Sequence, residues 1–174
     1  MSLAVCLLLD DASDRTVRLL WQRLEQVGIP TLLTHTHGRH VPHLSLASLQ
    51  SFDLELVRSA LATLPAQPPT AVHLDALGMF RRSRCWLAPA ASAELAVRQR
   101  AVVAAIEPTG ASLHRNYEPG SWMPHVTLAP RLHIDDLAVV ARHTFEVLPI
   151  TATLTRAALV DTSTGVLHEL PHLV

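Results

Sequence analysis

Trp122-Met123-Pro124-His125-Val126-Thr127-Leu128-Ala129 decides how the chain is read, because the first half carries a near copy, Arg39-His40-Val41-Pro42-His43-Leu44-Ser45-Leu46-Ala47. Aligned on His43 and His125, the two share Pro, His, Leu and Ala, keep a hydroxyl two residues after the histidine, and elsewhere exchange apolar residues. A strand sends alternate side chains to opposite faces. Pro42, Leu44 and Leu46 are therefore set to bury on one side, and Pro124, Val126 and Leu128 likewise. His43, Ser45 and Ala47 share the other side, as do His125, Thr127 and Ala129, with the small alanine leaving room for a ligand. With 11 histidines and 25 serines and threonines, the bare pattern His-x-Ser/Thr arises once or twice by chance, and it occurs twice. The weight lies in the seven-residue repeat and in the separation of its histidines, 82 positions in a chain of 174.

Working outward, the apolar run Leu3 to Leu9, stopped by Asp10-Asp11, predicts a buried strand. It is too short for a membrane span or a signal peptide. Asp14 is set to cap a helix to about Val27, closed by Gly28 and Pro30. Thr31 to Thr36 reads as a strand, Val41 to Ala47 as the first motif strand, and Asp53 as the start of a helix over 54–64. Pro68-Pro69 marks a linker. Strands follow at 71–77 and 84–87, a helix capped by Ser92, a polar stretch from Gly110 to Ser121, and the second motif strand. Asp135 opens a helix to about His143, and strands at 150–160 and 166–170 flank a turn at Thr164-Gly165. Each half thus reads as strand, helix, motif strand, helix, strand. This predicts an α+β fold made of a duplicated unit: two lobes, about 1–70 and 71–174, related by a pseudo-twofold that brings the twin motifs to a central cleft, all within one domain.

Composition narrows the function. An apolar fraction of 49% with 17% charged residues describes a packed globular chain. A formal net charge of −1 gives no basic field for long nucleic acid, so a small substrate fits better. All 14 basic residues are arginine, which reads first as a compositional bias and second as a supply of phosphate-binding forks. Cys6 and Cys85 call for no disulfide, and a cytoplasmic, reduced, monomeric protein is the expectation.

The twin motifs resemble the defining pattern of the 2H phosphoesterase superfamily, which includes 2′-5′ RNA ligase-like proteins and cyclic nucleotide phosphodiesterases. His43-Leu44-Ser45-Leu46 and His125-Val126-Thr127-Leu128 match its two His-x-Thr/Ser-x motifs, and Leu77-Gly78-Met79-Phe80 resembles the segment opening its second lobe. The resemblance spans nearly the whole chain. It implies a bilobal fold with two antiparallel sheets, helices outside and possible exchange of strands between lobes. It further implies metal-independent chemistry, without a cofactor, on a nucleotide or RNA end bearing a 2′,3′-cyclic phosphate or a 2′-5′ linkage. The residue types support that chemistry independently. Imidazole titrates near neutrality, so one histidine can deprotonate water while the other protonates the departing ribose oxygen. Ser45 and Thr127 can bond the non-bridging oxygens. Family members often carry Arg directly after the small residue of the second motif. Here Pro130 intervenes, so Arg131 is either a displaced phosphate ligand or a solvated residue.

Other residues are candidates for substrate contact. Arg115 can pair with phosphate, and Tyr117 and Trp122 can stack on a base, although Trp122 equally suits packing at the strand start. Arg81, Arg82 and Arg84 form either a solvated face or a field that steers an anion. His35, His37 and His40 have the spacing of a metal-binding run but no carboxylate nearby, so they read alternatively as a cleft rim from which His37 or Arg39 touches substrate. Two rival functions follow: a non-catalytic nucleotide-binding or RNA-end-binding module of the same fold, and a metal-dependent hydrolase built on the His35 to His40 run.

Overall fold

The computed structural model describes residues 2–171, 173 and 174. Strand β1 (Leu3–Leu9) is buried along its entire length because it has neighbours on both sides and both faces are covered. Leu3, Val5, Leu7 and Leu9 enter the main core, whereas Ala4, Cys6 and Leu8 join a smaller cluster with Ala158 and Val160. Helix α1 (Asp11–Gln26) follows at once and packs Val17, Leu20, Trp21 and Leu24 inward. Its cap is Asp10, not Asp14: the Asp10 carboxylate accepts from the Ala12 and Ser13 amides at 3.1 and 2.9 Å, and also from Thr153 N–H at 2.7 Å. Asp14 sits one turn in and pairs with Arg18 at 2.6 Å.

The strand expected over 31–36 does not form. The hydroxyls of Thr31 and Thr34 both donate to the Glu25 carboxylate at 2.8 Å, and Thr36 adopts φ of 51°, so side chains bind this segment as a series of turns. The first motif strand, β2 (His43–Ser51), leads to α2 (Leu54–Leu61), capped by Asp53. Next come β3 (Thr70–Met79), β4 (Cys85–Pro89) and α3 (Ala93–Ile106), capped by Ser92. A two-residue strand, β5 (Ser112–Leu113), precedes the second motif strand, β6 (Val126–Ala129). Helix α4 (Leu137–Phe145) follows a short 3-10 turn over Ile134–Asp136, and β7 (Ile150–Asp161) and β8 (Leu167–Glu169) complete the fold.

Every pairing is antiparallel. The expected two sheets are joined into one continuous eight-stranded sheet, because β7 is long enough to serve both. Its first half pairs with β3 and its second half with β1. On the far side the circuit closes through a single bridge between β2 and β6, Leu44 opposite Val126. These are corresponding positions of the two motifs.

Both motif strands also carry the same irregularity. Cys6 and Val5 are consecutive on β1 but face Ser45 and Ala47, so Leu46 is an extra residue. Cys85 and Trp86 face Ala129 and Thr127, so Leu128 is extra in the same way. A bulge reverses the facing of everything beyond it. Ala47 and Ala129, expected beside the histidines, are turned into the core. Positions 48 and 130, five beyond each histidine, face the cavity instead.

Candidate active site: two tethered imidazoles in an arginine-lined cavity

The β2–β6 bridge puts Leu44 and Val126 on one face of the sheet and the flanking polar residues on the other. Extended by one residue each way, the register sets His43 across from Thr127 and Ser45 across from His125. Imidazole and hydroxyl alternate around a small square. Ser45, Thr127 and His125 are 8%, 7% and 9% exposed, so these three side chains are nearly withdrawn from solvent.

Each histidine is tethered in the same way. His43 Nδ1 lies 2.6 Å from the Val41 carbonyl, and His125 Nδ1 lies 2.8 Å from the Met123 carbonyl. A carbonyl oxygen only accepts, so Nδ1 carries the proton and Nε2 of the neutral ring holds the lone pair. Met123 and Val41 precede Pro124 and Pro42, and the proline rings fix the chain in the extended form that aims those carbonyls back at the imidazoles.

The cavity over this square encloses about 630 Å³, within the range of small-molecule sites. His43, Ser45 and His125 border it, with Ser48 and Pro130 from beyond the bulges. Arg81, Arg82 and Arg84 arrive from the β3–β4 hairpin, and His114, Arg115, Asn116 and Tyr117 from the loop before the second motif. Four arginines and three histidines thus line it, and among the described residues none of its lining side chains is acidic. In a chain of net charge −1, that segregation makes an anion site.

Burial, and then the Arg84 charge, hold His43 below the ordinary imidazole range, against the opposing pull of the Val41 carbonyl. Burial pushes His125 down to about 4, with Arg84 and His43 adding to it and the Met123 bond opposing. His125 is therefore neutral at pH 7, and His43 is shifted toward the neutral form in the same direction. Burial raises the Tyr117 phenol, whose hydrogen bond with Ser45 works the other way. Cys6, below Ser45 with its Sγ 3.5 Å from the serine Oγ, is pushed up to about 12 by burial and stays a thiol.

Aromatic packing sets the His125 ring. Phe80 meets it edge-on at 5.0 Å and 89°, Trp86 lies 5.8 Å away, and the two aromatics are 4.9 Å apart. Gly78, paired with Trp86 on β3, leaves space for that indole: a Cβ there would lie 2.3 Å from Trp86 Cη2. Behind the square, Trp21 Nε1 donates to the Thr127 carbonyl at 3.3 Å.

The remaining expected contacts divide. Arg115 and Tyr117 border the cavity, and so does Trp122, whose Nε1 donates to the Ser45 carbonyl at 3.0 Å and locks the second-motif loop to the first motif strand. Gln99, wholly buried on α3, reinforces that joint by donating to the carbonyls of Leu46 and Tyr117. Thr127 shares the His125 face yet lies below the cavity wall, and Arg131, His37 and Arg39 are outside that wall. The bulge turns position 130 inward and position 131 away, and the exposed Arg131 lies near enough to His35 for its charge to lower that ring. His37 packs on Gly165 and on the His40 ring, 4.2 Å between centroids, and its Nδ1 accepts from Arg39 N–H at 3.0 Å. The His35 ring stacks on His40 and the His37 ring lies tilted against it, His40 Nε2 is hydrogen-bonded to the Thr36 hydroxyl at 3.0 Å, and no three His, Cys, Asp or Glu side chains among the described residues converge as metal ligands. Ser48 and Arg84 were not singled out as contacts from the sequence. Ser48 depends on an unreadable bulge, and the only trace of Arg84 is its place in the basic group after Phe80.

An antiparallel α+β fold presenting two His-x-Ser/Thr strands side by side at a cationic cavity defines a 2H phosphoesterase. The sequence profile of the 2′-5′ RNA ligase superfamily matches residues 10–165, and the chain belongs to that family. Solved structures agree at the level of the fold. A phosphoesterase superposes with a TM-score of 0.62 at 19% identity, over 97% of this chain and 94% of the other. Escherichia coli LigT complexed with 3′-AMP gives 0.60 at 18%, over 97% and 93%. A Thermus thermophilus protein gives 0.60 at 17%, over 98% and 95%. No curated protein matches the chain in sequence. Among the described residues no helix is long and apolar enough to cross a membrane.

Proposed function

We propose that this 2H phosphoesterase is a metal-independent enzyme that opens 2′,3′-cyclic phosphates or 2′-5′ phosphodiesters of nucleotides or RNA ends, with His43 and His125 as its acid and base. The observation that carries this reading is the matched pair of tethers: each Nδ1 is bonded to the carbonyl two residues before it, leaving two Nε2 atoms for proton transfer at one arginine-lined cavity. That LigT is known in complex with 3′-AMP and with ATP is in keeping with a nucleotide in such a cavity.

In hydrolysis of a cyclic phosphate, the oxygen of water bonds to phosphorus while its proton passes to Nε2 of one imidazole. The bond from phosphorus to one ribose oxygen breaks, and that oxygen takes the proton held on Nε2 of the other ring. The net change is addition of one water, and proton exchange with solvent resets the pair. Burial holds both rings toward the neutral form, so the acid is loaded as the anionic substrate enters and favours an imidazolium beside it. The Ser45 hydroxyl, across from His125, is placed to donate to a non-bridging oxygen as charge builds there. We take the chain as a single unit of two lobes, residues 1–70 and 71–174, meeting at this site.

The test is turnover of 2′,3′-cyclic mononucleotides with EDTA present. His43→Ala and His125→Ala are each expected to lose at least about a hundredfold in kcat with an unchanged circular-dichroism spectrum. Wild-type turnover in either variant refutes the reading, and a wild-type protein that binds nucleotide without turning over any cyclic phosphate makes the chain a binding module instead.

A further inference from the structure

The motif strands bring His43, Ser45 and His125 to the cavity, and the second motif strand adds no cation beside them. The bulge at Leu128 turns position 130 toward the cavity, where the residue is proline, and sends Arg131 out. Directly across the β4–β6 ladder, Cys85 pairs with Ala129, which places Arg84 beside Pro130 on the neighbouring strand. Arg84 borders the same cavity as His43, Ser45 and His125.

The turn that carries it is held by three backbone bonds. Phe80 N–H donates to the Arg84 carbonyl at 2.8 Å, closing the hairpin, and Ser83 N–H donates to the Phe80 carbonyl at 2.9 Å. Leu132 N–H donates to the Ser83 carbonyl at 2.7 Å, which staples the exit of the second motif strand to the hairpin tip. The residue that anchors this turn, Phe80, is the one whose ring edge meets His125. Arg81, Arg82 and Arg84 are all exposed, but Arg81 and Arg82 lie in the turn itself whereas Arg84 stands at its base, directly before β4.

We infer that Arg84, reaching across from β4, binds the non-bridging oxygens of the scissile phosphate in the place that Pro130 leaves uncharged, and so acts as a substrate-binding residue of the reaction. The inference rests on the phosphodiesterase reading above. Its charge adds a smaller depression to the one that burial imposes on both motif imidazoles, which fits a guanidinium at the cavity they share. A planar fork there donates to two phosphate oxygens at once, and a lysine ammonium does so without that fixed geometry.

Four variants, His43→Ala, His125→Ala, Arg84→Met and Arg84→Lys, are compared on a 2′,3′-cyclic nucleotide with EDTA present, alongside the pH dependence of kcat/KM and the affinity for inorganic phosphate. Arg84→Met is expected to fall about a hundredfold in kcat/KM, to bind phosphate more weakly, and to move the imidazole limb of the pH profile upward. Arg84→Lys is expected to recover part of the rate. Inactive histidine variants with Arg84→Met within about threefold of wild type overturn the role of Arg84 and leave the histidine pair standing. Full turnover in a histidine variant overturns the reaction assignment and this inference with it.

Discussion

His43 and His125 each give up one nitrogen to a local carbonyl, and that small loss of freedom decides what the other nitrogen can do. A neutral ring with Nδ1–H is a base at Nε2 and becomes an acid only after taking a second proton. Burial depresses both rings, His125 to about 4. An anion placed against them opposes that depression, so the bound value lies above the free one, and at any pH between the two the complex holds more protons. Binding of sulfate, which itself has no proton to exchange near neutrality, is therefore expected to draw protons from solution at pH 6. Calorimetric titration in buffers of different ionisation heat measures the number directly, and the expected result is uptake approaching one proton. Buffer-independent heats would show that the anion does not sit against the imidazoles.

Among the elements, β3 and β4 do the most to fix the geometry of the second motif, and Gly78 is the point where this can be tested. Any side chain there collides with the Trp86 indole, which in turn packs beside His125 and Phe80. Gly78→Ala is expected to cost about 1–3 kcal/mol through overpacking and to lower kcat by disturbing the His125 ring, with KM much less affected. Urea unfolding and steady-state kinetics check the two parts separately, and an unchanged kcat in a destabilised protein would show that the ring is set from elsewhere. Most elements were legible from residue periodicity: β1, α2 with Asp53, α3 with Ser92, and the strands of the tail lie within a few residues of expectation. The misreadings have physical causes. Asp10 and Asp14 are both good caps, and only the tertiary bond to Thr153 selects Asp10. Thr31 to Thr36 has strand propensity, but Glu25, from the preceding helix, recruits its hydroxyls. The candidate site was legible in His43, Ser45 and His125 because strand parity holds that far. It failed at Ala47, Ala129 and Arg131, since a bulge leaves no mark in side-chain alternation.

On the scale of the whole molecule, the closed circuit of strands concentrates buried imidazole at one place, and stability must follow. His40, like His125, is pushed down to about 4 by burial, with neighbouring histidine charges adding to it, and His43 is lowered as well. In the unfolded chain these groups titrate near about 6.5. Between the two values the unfolded state binds more protons than the folded one, so stability is full above the unfolded value and declines as pH falls from about 6.5 toward 4. For His125 alone, 9% exposed, the difference corresponds to about 3 kcal/mol. Asp10, Glu25 and Asp161 are held below the usual carboxylate range by hydrogen bonds that outweigh burial, and their stabilisation is lost only at lower pH still. Two successive acid limbs are thus expected in the urea midpoint, the first between pH 6.5 and 4 and set by histidine. His125→Gln, which keeps a polar side chain of similar reach without a titrating ring, should flatten the first limb and leave the second in place. A wild-type midpoint that stays level from pH 7 to 4.5 would mean that the imidazoles are far better hydrated than their packing against Phe80 and Trp86 allows.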